Sequence, residues 1–142
     1  MRWKELQILV ESIIGGDHVL VKDSAKRLAL LNYALHEVAN RATTLRLLTD
    51  NTDEHIIRQA REGTFIREAV LPENDEEVVD IDTGLCFAVA RYMASFISKE
   101  DKTILRHEYK ASQIILKYNS KVESFLNSEE GKNYGSLPNT EY

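Results

Sequence analysis

The residue types most able to do chemistry in this chain are two histidine–glutamate pairs. His36–Glu37 and His107–Glu108 each begin like the zinc-protease motif, in which a second histidine one helical turn later completes two ligands on one face. The fourth residue after each histidine is instead Asn40 or Ala111, so the motif fails twice. The pairs therefore predict partly exposed helical residues and no metal site, and His36, His55 and His107 should be dispensable for any chemistry.

An acidic run between positions 73 and 82 is the second candidate, because clustered carboxylates can bind calcium. It lacks the alternating Asp/Asn ligands, the central glycine and the closing glutamate of an EF-hand loop. A solvated loop followed by a strand is the better prediction. The run consists of Glu73, Asp75, Glu76, Glu77, Asp80 and Asp82.

Nucleophile and phosphate-binding motifs are not found in the sequence. No Gly-x-Ser-x-Gly elbow is present, and Cys86 lies between Leu85 and Phe87, an apolar setting that raises a thiol pKa. Gly15–Gly16 leads into Asp17 rather than into the Lys-Ser/Thr helix start of a phosphate loop. Local sequence thus predicts neither an enzyme nor a cofactor.

Composition predicts a single globular domain. The 142 residues are 43% hydrophobic, as is usual for a globular domain. Their net charge of -5 disfavours nonspecific binding to duplex DNA. No apolar run approaches the ~20 residues of a membrane span, so no membrane partner is expected. The start of the chain predicts a short amphipathic helix rather than a signal peptide. The single cysteine excludes a disulfide within the chain and favours the reducing cytosol.

The elements that must position these residues centre on a predicted helical hairpin from Asp82 to Leu126. Apolar residues recur at i, i+3 and i+4 in both arms, and Ser98–Asp101 is the turn between them. Asp82 or Thr83 can cap the first arm, and Asp101 the second. The inward face is predicted to contain Leu85, Ala88, Val89, Tyr92, Met93, Phe96 and Ile97, then Ile104, Leu105, Ala111, Ile115, Tyr118, Val122 and Phe125.

Two helices precede this hairpin in the prediction. The first carries an apolar stripe and stops at Gly15–Asp17; the second runs from about Ala25 to Ala42 behind an N-cap at Asp23 or Ser24. The first stripe contains Trp3, Leu6, Leu9, Val10, Ile13 and Ile14, and the second Leu28, Leu31, Leu35, Val38 and Ala42.

The middle of the chain, about 43–81, predicts a short antiparallel β insert. The apolar period changes there from about 3.6 to 2, as expected for strands. The predicted strands are Thr44–Leu47, His55–Arg58, Thr64–Arg67 and Glu77–Ile81, with a turn at Leu71–Asp75. The fold class is therefore α+β and mainly helical: a small bundle with a β insert and a long C-terminal hairpin.

Residues 127–142 form a predicted flexible tail on the 1–126 domain. The tail is rich in glycine and polar residues and cannot bury enough apolar surface to fold alone. Tyr134, Leu137 and Tyr142 are nevertheless spaced as anchors for a partner would be, with Pro138 among them.

The whole pattern resembles the head–tail connector, or head-completion adaptor, proteins of tailed phages. The resemblance rests on two N-terminal helices, a strand insert ending in FIREAVLPENDEEVVDID, and the hairpin LCFAVARYMASFISKE…HEYKASQIILKYNSKV. In that family His107–Tyr109 followed by Ile115 and Tyr118–Asn119 is a spacing often found in the second hairpin arm. The likeness covers residues 1 to 126 in outline and includes no catalytic motif.

The resemblance implies a structural virion protein of the neck between capsid and tail, assembled in the host cytoplasm. Such proteins form a ring, usually dodecameric, under the portal protein; they extend the DNA channel used in genome packaging and ejection and dock tail or nozzle proteins. The family's C-terminal tail contacts the portal, which implies Tyr134, Leu137, Pro138 and Tyr142 as binding residues. DNA would pass without sequence-specific binding, which suits an acidic wall that repels phosphate.

Two other classes stay open on the sequence. One is a non-enzymatic adaptor or regulatory module of a bacterium that binds a protein through the hairpin. The other is an enzyme whose site is assembled from distant residues such as His55, Glu62 and Asp82; a pocket grouping polar residues with shifted pKa values would favour it.

Overall fold

A computed structural model describes residues 1–15, 22–43, 47–48, 55–61 and 64–128. The described chain is mainly helical with a small antiparallel sheet, which confirms the predicted fold class. In order, the elements are α1 (Trp3–Ile14), α2 (Ser24–Arg41), β1 (Leu47–Leu48), β2 (Ile56–Arg61), β3 (Thr64–Arg67), α3 (Thr83–Ile97) and α4 (Asp101–Asn127).

Helix α3 lies at the centre of the core. It packs against α4, α2 and α1, so it is buried on several sides rather than along one stripe. Leu85, Val89 and Met93 have no exposed surface. A helix that is apolar nearly all round is stable only when neighbours enclose it, and the antiparallel arm α4 supplies the largest share of that contact. The predicted hairpin is confirmed.

Local signals begin and end the two N-terminal helices. The backbone N–H of Arg2 donates to Glu5 at 3.1 Å at the start of α1. Gly15 ends that helix at φ 89°, a left-handed backbone conformation that glycine adopts without a Cβ clash. Asp23 caps α2, accepting from the N–H of Ala25 at 2.9 Å, as predicted. The inward face of α2 is confirmed at Leu31, Leu35, Val38 and Ala42, which are buried.

The sheet has the strand order β1-β3-β2 and is antiparallel throughout. Ile66 on the central strand is fully buried and attaches the sheet to the core. Arg58 on β2 donates to the carbonyl oxygens of Asn40 and Ala42, so it also holds the end of α2. The predicted strand Thr64–Arg67 is confirmed with its bounds, whereas residues 44–46 of the first predicted strand lie outside the described residues.

The predicted strand Glu77–Ile81 is wrong. Only a single β-bridge, between Arg2 and Val78, forms there. Trp3 N–H donates to Glu77 O at 2.8 Å, and Val79 N–H donates to Met1 O at 2.9 Å. Because helix α1 begins at Trp3, the N-terminal segment that pairs with residues 77–79 turns into a helix there. The β pairing therefore cannot extend further.

The predicted side-chain caps of the hairpin are also wrong. Helix α4 has Glu100 rather than Asp101 at its N-cap, and no side chain caps either arm. The carboxylate of Asp82 instead accepts from the hydroxyl of Tyr118, which joins the start of α3 to the middle of α4. The residue is placed as predicted, but its hydrogen bond ties the two arms together.

Three residues assigned to the hairpin core are exposed. The exposed fraction is 43% for Phe96, 63% for Leu105 and 40% for Phe125. Phe96 lies at the edge of the α3 interface, where its ring meets Tyr33 of α2 edge-on with centroids 6.3 Å apart. Leu105 lies on the outer face of α4, where no described element covers it.

Candidate interaction surface on helix α4

The outer face of α4 carries an uncovered apolar stripe. Its members are Leu105, Tyr109 and Leu116, which are 63%, 65% and 65% exposed. Spacings of four and seven residues place them on one side of the helix. Large apolar side chains aligned in this way mark a binding surface more strongly than scattered ones do.

A basic stripe runs beside the apolar one. At 3.6 residues per turn its members fall within an arc of about 100°. The three acidic residues of α4, Asp101, Glu108 and Glu123, project outside this arc. Within the described part of the chain the basic residues form no ion pair, and all are exposed. The basic stripe consists of Lys102, Arg106, Lys110, Lys117 and Lys121.

The opposite side of α4 fixes the helix on the domain. Ala111 and Ile115 are buried against the core. The side chain of Asn119 accepts from Thr43 N–H at 2.6 Å and donates to Arg41 O at 3.2 Å, so it holds the C-terminal end of α2. The two outer stripes are therefore presented from a helix whose rotation is set by these contacts.

His107 lies on the buried side and not on the surface, so its predicted partial exposure is wrong. It is 1% exposed, and its Nδ1 lies 3.2 Å from Nη1 of Arg91 on α3. A guanidinium only donates, so Nδ1 accepts and the ring is neutral with its proton on Nε2. Burial lowers the pKa of His107 below the ordinary 6.5, and the charges of Arg91, Arg106 and Lys110 lower it further.

A cavity of about 540 Å³ lies at the turn end of the hairpin. Its lining includes Ile13 and Ile14 from the end of α1, Ile97 from α3, and Arg106 and His107 from α4. Ser98, Lys99, Glu100 and Thr103 complete the lining, so one carboxylate is present. Among the described residues, however, the side chain that hydrogen-bonds to His107 is Arg91 and not Glu100. The hydrogen bond from Arg91 makes His107 an acceptor and does not give it an acidic partner for proton transfer.

His36 and His55 meet at one carboxylate. Glu68, just after β3, places Oε1 3.2 Å from Nε2 of His36 and Oε2 3.1 Å from Nδ1 of His55. The hydrogen bond with His36 is the main cause that lowers the pKa of Glu68, and His55 lowers it further. The backbone of His55 has φ 63°, the left-handed region. This cluster ties the sheet to α2. Neither it nor any other group of three or more His, Cys, Asp or Glu side chains among the described residues is arranged to hold a metal ion.

Cys86 is fully buried on α3, in agreement with the predicted apolar setting. Its Sγ donates to the carbonyl oxygen of Asp82 at 3.7 Å. Burial raises the pKa of the thiol above its ordinary value. A buried thiol of raised pKa has little thiolate and is a poor nucleophile at neutral pH.

The acidic loop, residues 73–80, is a turn packed on the start of α1. Glu76 forms ion pairs with Lys4 at 2.8 Å and Arg2 at 3.3 Å, and Asp75 accepts from Gln7 at 3.1 Å. These contacts hold the loop in place. Glu73, Asp75 and Glu76 remain exposed, whereas Glu77 and Asp80 are half-buried and accept from backbone N–H groups. Val78 within the loop and Val70 before it are 65% and 62% exposed.

The binding residues implied by the resemblance, Tyr134, Leu137, Pro138 and Tyr142, lie outside the described residues. Glu62 of the assembled-enzyme alternative does too. The other members of that set, His55 and Asp82, have separate partners in Glu68 and Tyr118. The described residues thus do not bring that set together.

The two stripes of α4 were missed in the sequence, although their spacing is visible there. Lys102, Arg106, Lys110, Lys117 and Lys121 follow helical spacing. The sequence could not show which side of α4 the rest of the chain covers, and so Leu105 was assigned to the core.

No helix in the described ranges is both long and apolar enough to cross a bilayer. Comparison with known proteins found no matching protein family, no matching curated protein and no matching solved structure. The surface of α4 must therefore be interpreted from its own chemistry.

Proposed function

We propose that this chain is a head–tail connector of a tailed phage, a structural virion protein without turnover. It acts as a ring, dodecameric as is usual for such proteins, beneath the portal protein in the neck between capsid and tail. The ring extends the DNA channel and docks tail or nozzle proteins, and DNA passes through it without sequence-specific binding.

The outer face of α4 is the observation that carries this proposal. A helix of 27 residues presents Leu105, Tyr109 and Leu116 to solvent. Beside them lie five exposed basic residues that form no ion pair with any described residue. Its inner side is fixed to α3 and α2, so the surface is rigid and pre-organised. A pre-organised helix face with apolar and charged stripes suits permanent assembly with other proteins.

The net charge of -5 supports the same function. A channel wall must let the duplex move, and carboxylates repel its phosphates. The basic residues of α4 are gathered on one helix face, which leaves the rest of the chain more acidic than the net charge suggests. In the proposed ring, α4 therefore faces protein rather than the channel.

The direct test is to mix the purified chain with portal rings from the same source and to examine the mixture by negative-stain electron microscopy and native mass spectrometry. The proposal predicts portal rings that carry a second ring of this chain. A chain that never associates with portal, at any mixing ratio, would contradict it.

A non-enzymatic adaptor module of a bacterium is the second candidate, since the α4 face would equally suit one protein partner. A discrete dimer bound to a host protein, with no affinity for portal, would favour that module over the connector.

A further inference from the structure

We propose that the outer face of α4 binds the acidic loop of a second copy of this chain. The inference rests on the proposed function, because it names the surfaces through which neighbouring subunits of the ring would meet. It joins two features that the fold keeps apart: the exposed side of the last helix and the turn packed on the start of the first.

Charge complementarity is the first argument. The basic stripe offers five exposed cations without an ion-pair partner in the described residues. The acidic loop carries Glu73, Asp75, Glu76 and Glu77, and of these four only Glu76 pairs with a cation among the described residues. A positive surface and a negative surface on the same molecule attract each other between copies and fix their register.

Apolar complementarity is the second argument. Leu105, Tyr109 and Leu116 border the basic stripe, and Val70 and Val78 border the acidic carboxylates; each is more than 60% exposed. Contact between the two surfaces would remove both apolar sets from water together. Specific protein contacts commonly combine buried apolar side chains with polar and charged residues at their border.

The geometry of such a contact favours a ring. Each copy would use its α4 on one side and its acidic loop on the other, so the interface joins two different patches. Head-to-tail interfaces of this kind generate closed rings when the rotation between copies closes, and open filaments when it does not. A two-fold dimer, by contrast, would need each patch to contact itself.

Paired charge reversals test the contact. The α4 variant K110E/K117E changes two exposed residues of the basic stripe, and the loop variant E73K/D75K changes two exposed residues of the acidic loop. Each variant alone should self-associate about tenfold or more weakly than the unchanged chain in sedimentation velocity at low salt. The control K22E/K26E makes the same charge change as the α4 variant at exposed positions beside α2 and should associate normally.

Mixing the two variants gives the decisive result. The reversed α4 of one variant complements the reversed loop of the other, and their unchanged surfaces also complement each other. The equimolar mixture should therefore recover association and contain the two chains in equal amounts, as native mass spectrometry can count. The unchanged chain should also lose association as salt screens the charges.

Three results would overturn the inference: an unchanged chain that stays monomeric at low salt, association unaffected by either variant, or a mixture that fails to recover. In the second case, a loss of DNA binding by the α4 variant would assign the basic stripe to nucleic acid instead.

The portal-mixing experiment distinguishes a failure of this inference from a failure of the proposed function. If the chain binds portal but the variants do not affect self-association, the connector proposal holds and the interface proposal fails. If the chain self-associates through these surfaces but does not bind portal, the interface proposal holds and the connector proposal fails.

Discussion

Arg91 on α3 donates to Nδ1 of the buried His107 on α4 across 3.2 Å. This contact joins the two arms of the hairpin near their turn and leaves a neutral imidazole among cations. Burial also lowers the pKa of the Arg91 guanidinium, with Arg106 adding to the effect. A proton added to His107 would remove the acceptor and place a further positive charge beside these groups.

Acid should therefore destabilise the fold through His107. Its pKa is lowered by burial first and then by Arg91, Arg106 and Lys110, so the unfolded chain takes up the proton more readily. The stabilisation is complete above the ordinary pKa of 6.5 and is lost as the pH falls below it. Thermal melts should show a falling midpoint from pH 7.5 to 5.5.

His107→Gln is the informative variant for this effect because a glutamine oxygen can still accept from Arg91. It should reduce the pH dependence in that window, whereas the control His36→Gln, at a partly exposed position, should leave it in place. An unchanged pH profile in His107→Gln would show that other groups cause the acid sensitivity.

Leu85→Ala and Phe96→Ala compare the stability contributed by a core residue and by an edge residue of α3. Leu85 is fully buried, so its truncation should lower the free energy of unfolding by about 2–5 kcal/mol. Phe96 is 43% exposed and keeps one edge-on contact with Tyr33, so its loss should cost about 1 kcal/mol. Urea melts measure both, and equal losses would mean that the burial of α3 is wrongly placed.

The thiol of Cys86 should be unreactive in the native protein. Burial raises its pKa, and its position on the fully enclosed side of α3 blocks access. Iodoacetamide should label it only after denaturation, which intact-mass measurement can follow. Fast labelling under native conditions would indicate that the hairpin opens readily.

Residues 129–142 should serve attachment rather than folding. Composition predicts a tail at 127–142, but helix α4 includes Asn127, so the tested segment begins after Ser128. A chain ending at Ser128 should melt at nearly the same temperature as the whole chain but bind portal more weakly. The triple variant Tyr134→Ala, Leu137→Ala, Tyr142→Ala should reproduce the binding loss, and undiminished binding by both variants would remove the tail from the proposed site.

The hairpin could be predicted because its apolar spacing is strong and its turn is short. The neighbouring Glu108 does not indicate that His107 is buried. The four-residue spacing of His107, Ala111 and Ile115 does, because these three residues form the buried side of α4. The broken metal motif drew attention to the wrong property of this histidine. Helical register was the better guide.

The predicted strand at Glu77–Ile81 failed for a tertiary reason. Val78 and Val79 have the side chains of a strand, but the backbone there finds its partners in residues 1–3, immediately before a helix. Likewise, the spacing of Leu105 fits a core position, and only the packing of α4 on α3 and α2 shows that it faces outward. A helix surface becomes a candidate site only when its neighbours are known.

Cryo-electron microscopy of the particle that contains this chain is the most direct test of the connector. If the chain is a connector, copies of the α3–α4 hairpin should repeat around the neck axis beneath the portal, with each α4 in contact with the neighbouring copy. Particles that lack the chain, or that hold it away from the neck without such a repeat, would contradict the central claim.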